Sequence, residues 1–251
     1  MTNVRIAAFT FLLLFTACSH RVPVATVEVI DTSLSITPRA ERAALNAVQN
    51  QIAHMQRGDQ LVLIPITGDA ANDASGRILR LSAPTVRETY DSDLRRFQEQ
   101  ARKQFAVWLA SLDPHEMRTD ILGTLDVVRQ EFVAIPKGSG RLIIVSDFLE
   151  DESSYRFVSA KQLSNMGRAN ALALSLRSER EFALPSIPIC LGRLESSDFA
   201  HLSPQRKDAV QAFWTEYLTD KNRPPELHFD GAGMLNGSDG CLNEPAHAAT
   251  N

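Results

Sequence analysis

The chain lacks most of the features that would fix a function at a glance. None of the common active-site signatures is present: no G-x-S-x-G elbow, no P-loop and no G-x-G-x-x-G, and the "GSG" of residues 138–140 reads as a turn. Six histidines show no metal-ligand spacing such as H-x-x-x-H, so each reads as a packing or surface residue. The net charge of −4, with no long block of either sign, gives no basic footprint for nucleic acid. Cysteine is scarce, at three. The apolar run from Ile6 to Phe15 is too short to span a bilayer. No internal repeat is visible.

What remains is ordinary for a globular chain: 44% hydrophobic and 22% charged residues, with 12 Gly and 12 Pro in 251 residues. That length suits one large α/β domain. The start, "MTNVRIAAFTFLLLFTACSH", has one Arg, a short apolar core and small residues before a cysteine, the layout of a secretory signal. It resembles the bacterial lipobox, with Phe15 where that pattern prefers Leu. The resemblance implies that Cys18 is lipidated and becomes the first residue of the mature protein, held on a membrane surface in the bacterial envelope and facing the periplasm. Cys190 and Cys241 then form an even pair, which in an exported protein points to a disulfide worth roughly 4 kcal/mol of loop-closure entropy. A free core thiol at Cys190 is the alternative.

Strand and helix signals alternate. "ATVEVI" (25–30) reads as a strand, and Pro38 to about Arg57 as a helix with Ala44, Leu45, Val48, Ile52 and Met55 on one face. "QLVLIPI" (60–66) has the continuous apolar character of a strand covered on both faces, and "RILRLSAP" reads as a short edge strand. A helix from Asp93 carries Leu94, Phe97, Ala101, Phe105, Trp108 and Leu112, and Asp113-Pro114 ends it. Further expectations are a helix over 119–132, a strand "RLIIVS" (141–146), helix across about 159–180, a strand over 187–194 and a helix over 204–218. The alternation predicts a doubly wound, mostly parallel sheet with helices on both faces. The expected layout is a signal over 1–18, a short linker over 19–24, one domain over 25–230 and a loosely ordered tail over 231–251.

In such a sheet, ligands gather beyond the carboxyl ends of the strands. Three segments reach that edge: "DTSLS" after the first strand, "TD" of "RTDILGTL" at a helix start, and "SD" of "VSDFLED" after the fourth strand. They offer carboxylates and hydroxyls, hard donors that suit Mg²⁺, Mn²⁺ or Ca²⁺. In order and placement these motifs resemble the metal-ion-dependent adhesion site (MIDAS) of von Willebrand factor A-type (vWA) domains, over about residues 24–220. Phe148 stands where family members commonly have Gly.

The resemblance implies that Asp31, Ser33, Ser35, Thr119 and Asp147 hold a divalent cation. An open coordination position would then accept an acidic side chain from a partner protein. The acidic run at 150–152 reads as a solvated loop beside Asp147. Taken singly, the same residues could be loop and cap residues: Ser33, Ser35 and Thr37 satisfying backbone, Thr119 an N-cap, Asp147 a turn residue. The leading function is a lipid-anchored binding module with no catalytic residues, partnered by protein and membrane and not by nucleic acid. The alternatives are a metal-assisted hydrolase, or a structural lipoprotein whose site is empty. A HAD-type hydrolase would need a second carboxylate where Ser33 stands.

Overall fold

The computed structural model describes residues 21–70, 76–86, 91–113, 115–136, 139–152, 155–219 and 226–228. The signal segment, Cys18, Cys241 and the tail from residue 231 lie outside the described residues. In chain order the described elements are β1 (Ala25–Asp31), α1 (Pro38–His54), β2 (Gln60–Ile66), β3 (Leu79–Ser82), α2 (Ser92–Ser111), α3 (Ile121–Val133) and β4 (Gly140–Ser146). A 3₁₀ turn (Lys161–Ser164) precedes α4 (Met166–Glu179), β5 (Ile189–Arg193), α5 (Ser197–His201), α6 (Pro204–Leu218) and β6 (Glu226–His228).

The six strands form one sheet in the order β3-β2-β1-β4-β5-β6, with only β3 antiparallel to its neighbour. Strand order reverses at β1, so crossovers leave β1 in opposite directions and helices cover both faces. Each residue of β1 is buried, as a central parallel strand requires. Alternation sends Val27 and Val29 into one core with Leu122, Leu125 and Val128 of α3 and Phe213, Trp214 and Tyr217 of α6. Ile30 faces the other side, with Leu61, Leu63, Val48 and Ile52 of α1, and Phe105 and Trp108 of α2. Ala40, Ala44 and Ala47 let α1 lie close over Ile143, Val145 and Cys190.

The helix ends follow local chemistry. Thr37 caps α1 by accepting from Ala40 N–H at 3.3 Å, and Pro38 fills the first helical position. Asn165 ends the 3₁₀ turn and caps α4, accepting from Arg168 N–H at 3.0 Å, so the helix expected across 159–180 is two pieces. Two short elements, α5 and β6, were absent from the sequence expectations. Arg21 is joined to Asp59 at 2.9 and 3.1 Å, and Asp59 also accepts from Val24 N–H. Cys190 is fully buried in β5 and disulfide-bonded; the other two cysteines lie outside the described residues.

Candidate metal site at the carboxyl edge of the sheet

The parallel pairing of β1 with β4 sets Ile30 opposite Val145. The residues that follow each strand therefore emerge side by side. Asp31 Oδ2 accepts from Ser146 Oγ at 2.6 Å, and its Oδ1 accepts from Ser33 N–H at 2.9 Å, which folds the chain back over the strand end. That turn brings Ser33 Oγ within 3.0 Å of Ser35 Oγ. Ser35 Oγ in turn donates to Asp147 Oδ2 at 3.4 Å, a long contact. Asp147 Oδ1 accepts from Leu149 N–H at 2.9 Å. Four of the five residues singled out in the sequence are thus joined in one hydrogen-bonded chain. Asp31, Ser33 and Asp147 are buried, and Ser35 is half-buried at the mouth.

Thr119 stands one step away. Its hydroxyl donates to Leu149 O at 2.6 Å, while its carbonyl accepts from Asp151 N–H at 2.9 Å. It therefore fastens the loop after Asp147, and no hydrogen bond joins it to the other four among the described residues. A hydroxyl that donates its proton to a carbonyl keeps its lone pairs for another partner. Thr119 is not the helix cap. Asp120 is, accepting from Gly123 N–H at 2.6 Å, and α3 begins at Ile121.

The reading of 150–152 as a solvated loop is corrected at its first residue. Glu150 is fully buried, and its Oε2 accepts from the N–H groups of Ile121 and Leu122 at 3.0 and 3.1 Å. These are orphan donors of the first turn of α3, where a helix favours negative charge. Burial first and the Asp120 charge second push the Glu150 carboxyl well above its usual range. Asp151 and Glu152 are half-buried.

The electrostatics of the oxygen cluster are strained in one direction. Asp147 is pushed up to about 7, by burial first and then by the Asp31 charge, against hydrogen bonds from Ser196, Leu149 N–H and Ser35. Asp31 is also raised, by burial above all, with the Glu116 charge adding to it and the Ser146 and Ser33 contacts opposing it. No Lys or Arg pairs with either carboxylate among the described residues. Two buried acids held together without a positive partner are a poor resting arrangement unless protonated or bridged.

Phe148 occupies the left-handed region, with φ at 63°, where an L side chain is strained. Its carbonyl accepts from Trp214 Nε1 at 2.8 Å, its N–H donates to Ser146 Oγ at 3.0 Å, and its ring lies 6.2 Å from the Trp214 ring. Packing thus holds a conformation that Gly would adopt freely. Sequence reasoning assigned no role to Ser146, Ser196 or Glu116. Ser146 was visible in "VSD", one residue before an assigned ligand.

The donor set is compatible with a hard divalent cation: two carboxylates and the hydroxyls of Ser33, Ser35 and Thr119, all oxygen. It has too few carboxylates to be a conventional acidic cage, and no group of three or more His, Cys, Asp or Glu is placed to hold a metal among the described residues. Hydroxyl-rich coordination is the only form this site offers.

No family model and no curated protein matches the chain. Solved structures similar to it include manganese-loaded TRAP of Plasmodium vivax, at 13% identity and a TM-score of 0.44, covering 90% of this chain and 74% of that one. Another is a von Willebrand factor type A protein from Catenulispora acidiphila (16% identity, TM-score 0.38, 76% of this chain). A third is the vWF domain of the type V pili tip protein Mfa5 from Porphyromonas gingivalis (20%, 0.37, 63%). The chain spans 43% and 51% of the lengths of the last two.

Proposed function

We propose that this chain is an exported, lipid-anchored binding module of the vWA type. Asp31, Ser33, Ser35, Thr119 and Asp147 hold a divalent cation, Mg²⁺ first with Mn²⁺ or Ca²⁺ as substitutes, and the site engages an acidic group on a partner protein. The observation that carries this reading is the convergence of the Asp31 and Asp147 segments through Ser35, with both carboxylates raised and unneutralised.

A dication there would supply a local positive charge with a preference for an anion. The chain's own residues do the rest. Asp31 and Asp147 provide the negative charge that makes the position attractive to a cation. Ser146 and Leu149 N–H fix the orientation of the two carboxylates. Thr119 holds the Asp147 loop closed through Leu149 O. Leu34, 57% exposed between the two serines, and Met117, 77% exposed, offer apolar contact at the mouth, and Leu34 N–H donates to Glu116 O to tie their loops together. Exposed apolar side chains beside the oxygen cluster would give a partner contact area next to the charged group it offers. On this reading Cys18 carries the anchor and Cys190 pairs with Cys241, which peptide mapping under non-reducing conditions checks.

The test is calorimetric titration of Mg²⁺ and Mn²⁺ into the purified protein beside Asp31→Ala and Asp147→Ala, with circular dichroism confirming the fold of each. The expected result is one cation bound by the parent and none by either variant. Absence of binding by the parent at millimolar metal ends the cation-centred reading for the unpartnered protein.

A further inference from the structure

The parallel strands all run toward the edge that holds the oxygen cluster, so their amino ends gather at the opposite edge of the sheet. The seven residues of β1 hold the two edges roughly 20 Å apart. The chain enters at the amino edge and is fastened there. Arg21 holds Asp59 through two hydrogen bonds, Val24 N–H donates to the same carboxylate at 3.0 Å, and Gln60 N–H donates to Val24 O at 3.0 Å. Pro23 lies so close to Gly58 that a Cβ there would meet its ring at 2.8 Å. Cys18 stands three residues before Arg21, a reach of at most about 11 Å even for an extended chain. A lipid on Cys18 therefore keeps this edge, and not the oxygen cluster, against the bilayer.

The same edge presents apolar side chains to solvent. Val22 precedes β1, Val86 follows β3 and Val133 ends α3, and they are 62%, 68% and 86% exposed. Between the end of α3 and the segment before β5 lies an open groove of about 580 Å³, lined by Phe132, Ile135, Pro136, Pro185 and Ile187. Gly140 forms part of its wall and is the register partner of Ala25, so the groove opens beside the point where the chain enters the sheet. Arg129, which also lines it, is engaged by Glu181 O at 3.3 Å and by Asp126 at 3.9 Å. With Arg129 and Arg21 both answered within the chain, apolar contact is what this edge offers a neighbour.

We infer that the amino edge is a membrane-docking face: Val22, Val86, Val133 and the groove beside Ile135 rest on lipid, and the oxygen cluster faces away from the bilayer. The inference rests on the anchor proposed at Cys18 and adds an orientation to it. The short, fastened tether is what selects lipid as the occupant. The acidic group that meets the cation then arrives from outside the anchoring membrane, not from its headgroups.

The probe is the full lipidated protein in phosphatidylcholine vesicles with or without bromine on the acyl chains, its lipid on Cys18 checked by mass spectrometry. Val133→Trp, Val86→Trp and Met117→Trp each add one tryptophan at an exposed position, while Trp108 and Trp214 are buried and form a common background. Bromine quenches on contact, so only an indole among the acyl chains loses emission. Val133→Trp and Val86→Trp are expected to lose most of the added emission and Met117→Trp none of it. High salt and added phosphatidylglycerol are expected to leave that loss unchanged, because salt screens charge and not apolar contact. Loss at neither edge, or equal loss at residues 117 and 133, overturns the docking face while the anchor stands. Quenching at residue 133 that needs phosphatidylglycerol and vanishes in high salt overturns apolar contact as its cause. A Cys18 without lipid ends the anchor reading; quenching of that protein's Val133→Trp by added vesicles would still support the face, and its absence would overturn the face as well.

Discussion

Asp147 and Glu150 stand on one short loop, both buried at the carboxyl edge of the sheet, and the fold answers their charges in different ways. Glu150 receives two N–H groups from the first turn of α3, so its carboxylate completes a helix end. Asp147 receives one backbone N–H, from Leu149, and contacts from the hydroxyls of Ser196 and Ser35; each acid also faces another, Asp31 beside Asp147 and Asp120 beside Glu150. The first acid is spent on architecture. The second is left in a cluster whose remaining demand is for positive charge. On the proposed reading, burial alone does not separate the two acids; the groups that surround each one do.

The contrast breaks most sharply under substitution. Asp147→Asn removes the charge with little change of shape, and cation affinity is expected to fall by about a hundredfold or more in calorimetry. The metal-free protein should become more stable at pH 8, by on the order of 1 kcal/mol in urea unfolding, because the repulsion with Asp31 is gone. Glu150→Leu should behave oppositely. Stability is expected to drop by about 2 kcal/mol or more as two helix donors lose their acceptor, with cation affinity of the folded protein nearly unchanged.

Phe148→Gly sharpens the same comparison at a residue between the two acids. Relief of left-handed strain offsets part of the lost ring burial, for a net loss of about 1 kcal/mol by thermal or urea unfolding. The smallest effect concerns Glu28, buried in β1 and pushed up to about 7 by burial, with Arg141 pulling the other way. A carboxyl raised in the folded state stabilises fully below its unfolded value and loses that contribution as pH climbs through the folded one. Stability of the metal-free protein is expected to decline between about pH 4.5 and 7 from this group. Glu28→Gln should flatten that slope with or without Mg²⁺, whereas Mg²⁺ alone should offset the part that belongs to Asp147.

The sheet was legible because its strands are continuous apolar runs separated by helical stripes, and the expected bounds of β2 and α6 match those observed. That Asp31, Ser33, Ser35 and Asp147 meet at one edge was legible because their segments directly follow two buried strands, and β1 and β4 pair in parallel. Glu150 was not, since a carboxylate in an acidic triplet looks solvated until the docking of Asp151 on Thr119 carries it under α3. Ser196 was hidden for a similar reason: its role depends on the isolated pairing of Ile36 with Ser196, a contact across the fold. β6 is three residues long, too short for a periodic signal.

The most direct measurement is anomalous diffraction from crystals of the protein soaked in Mn²⁺. The account expects one manganese peak among the oxygens of Asp31, Ser33, Ser35 and Asp147, absent from Asp147→Asn crystals. A saturating soak with no peak there, and with the Ser35–Asp147 hydrogen bond still intact, would contradict it.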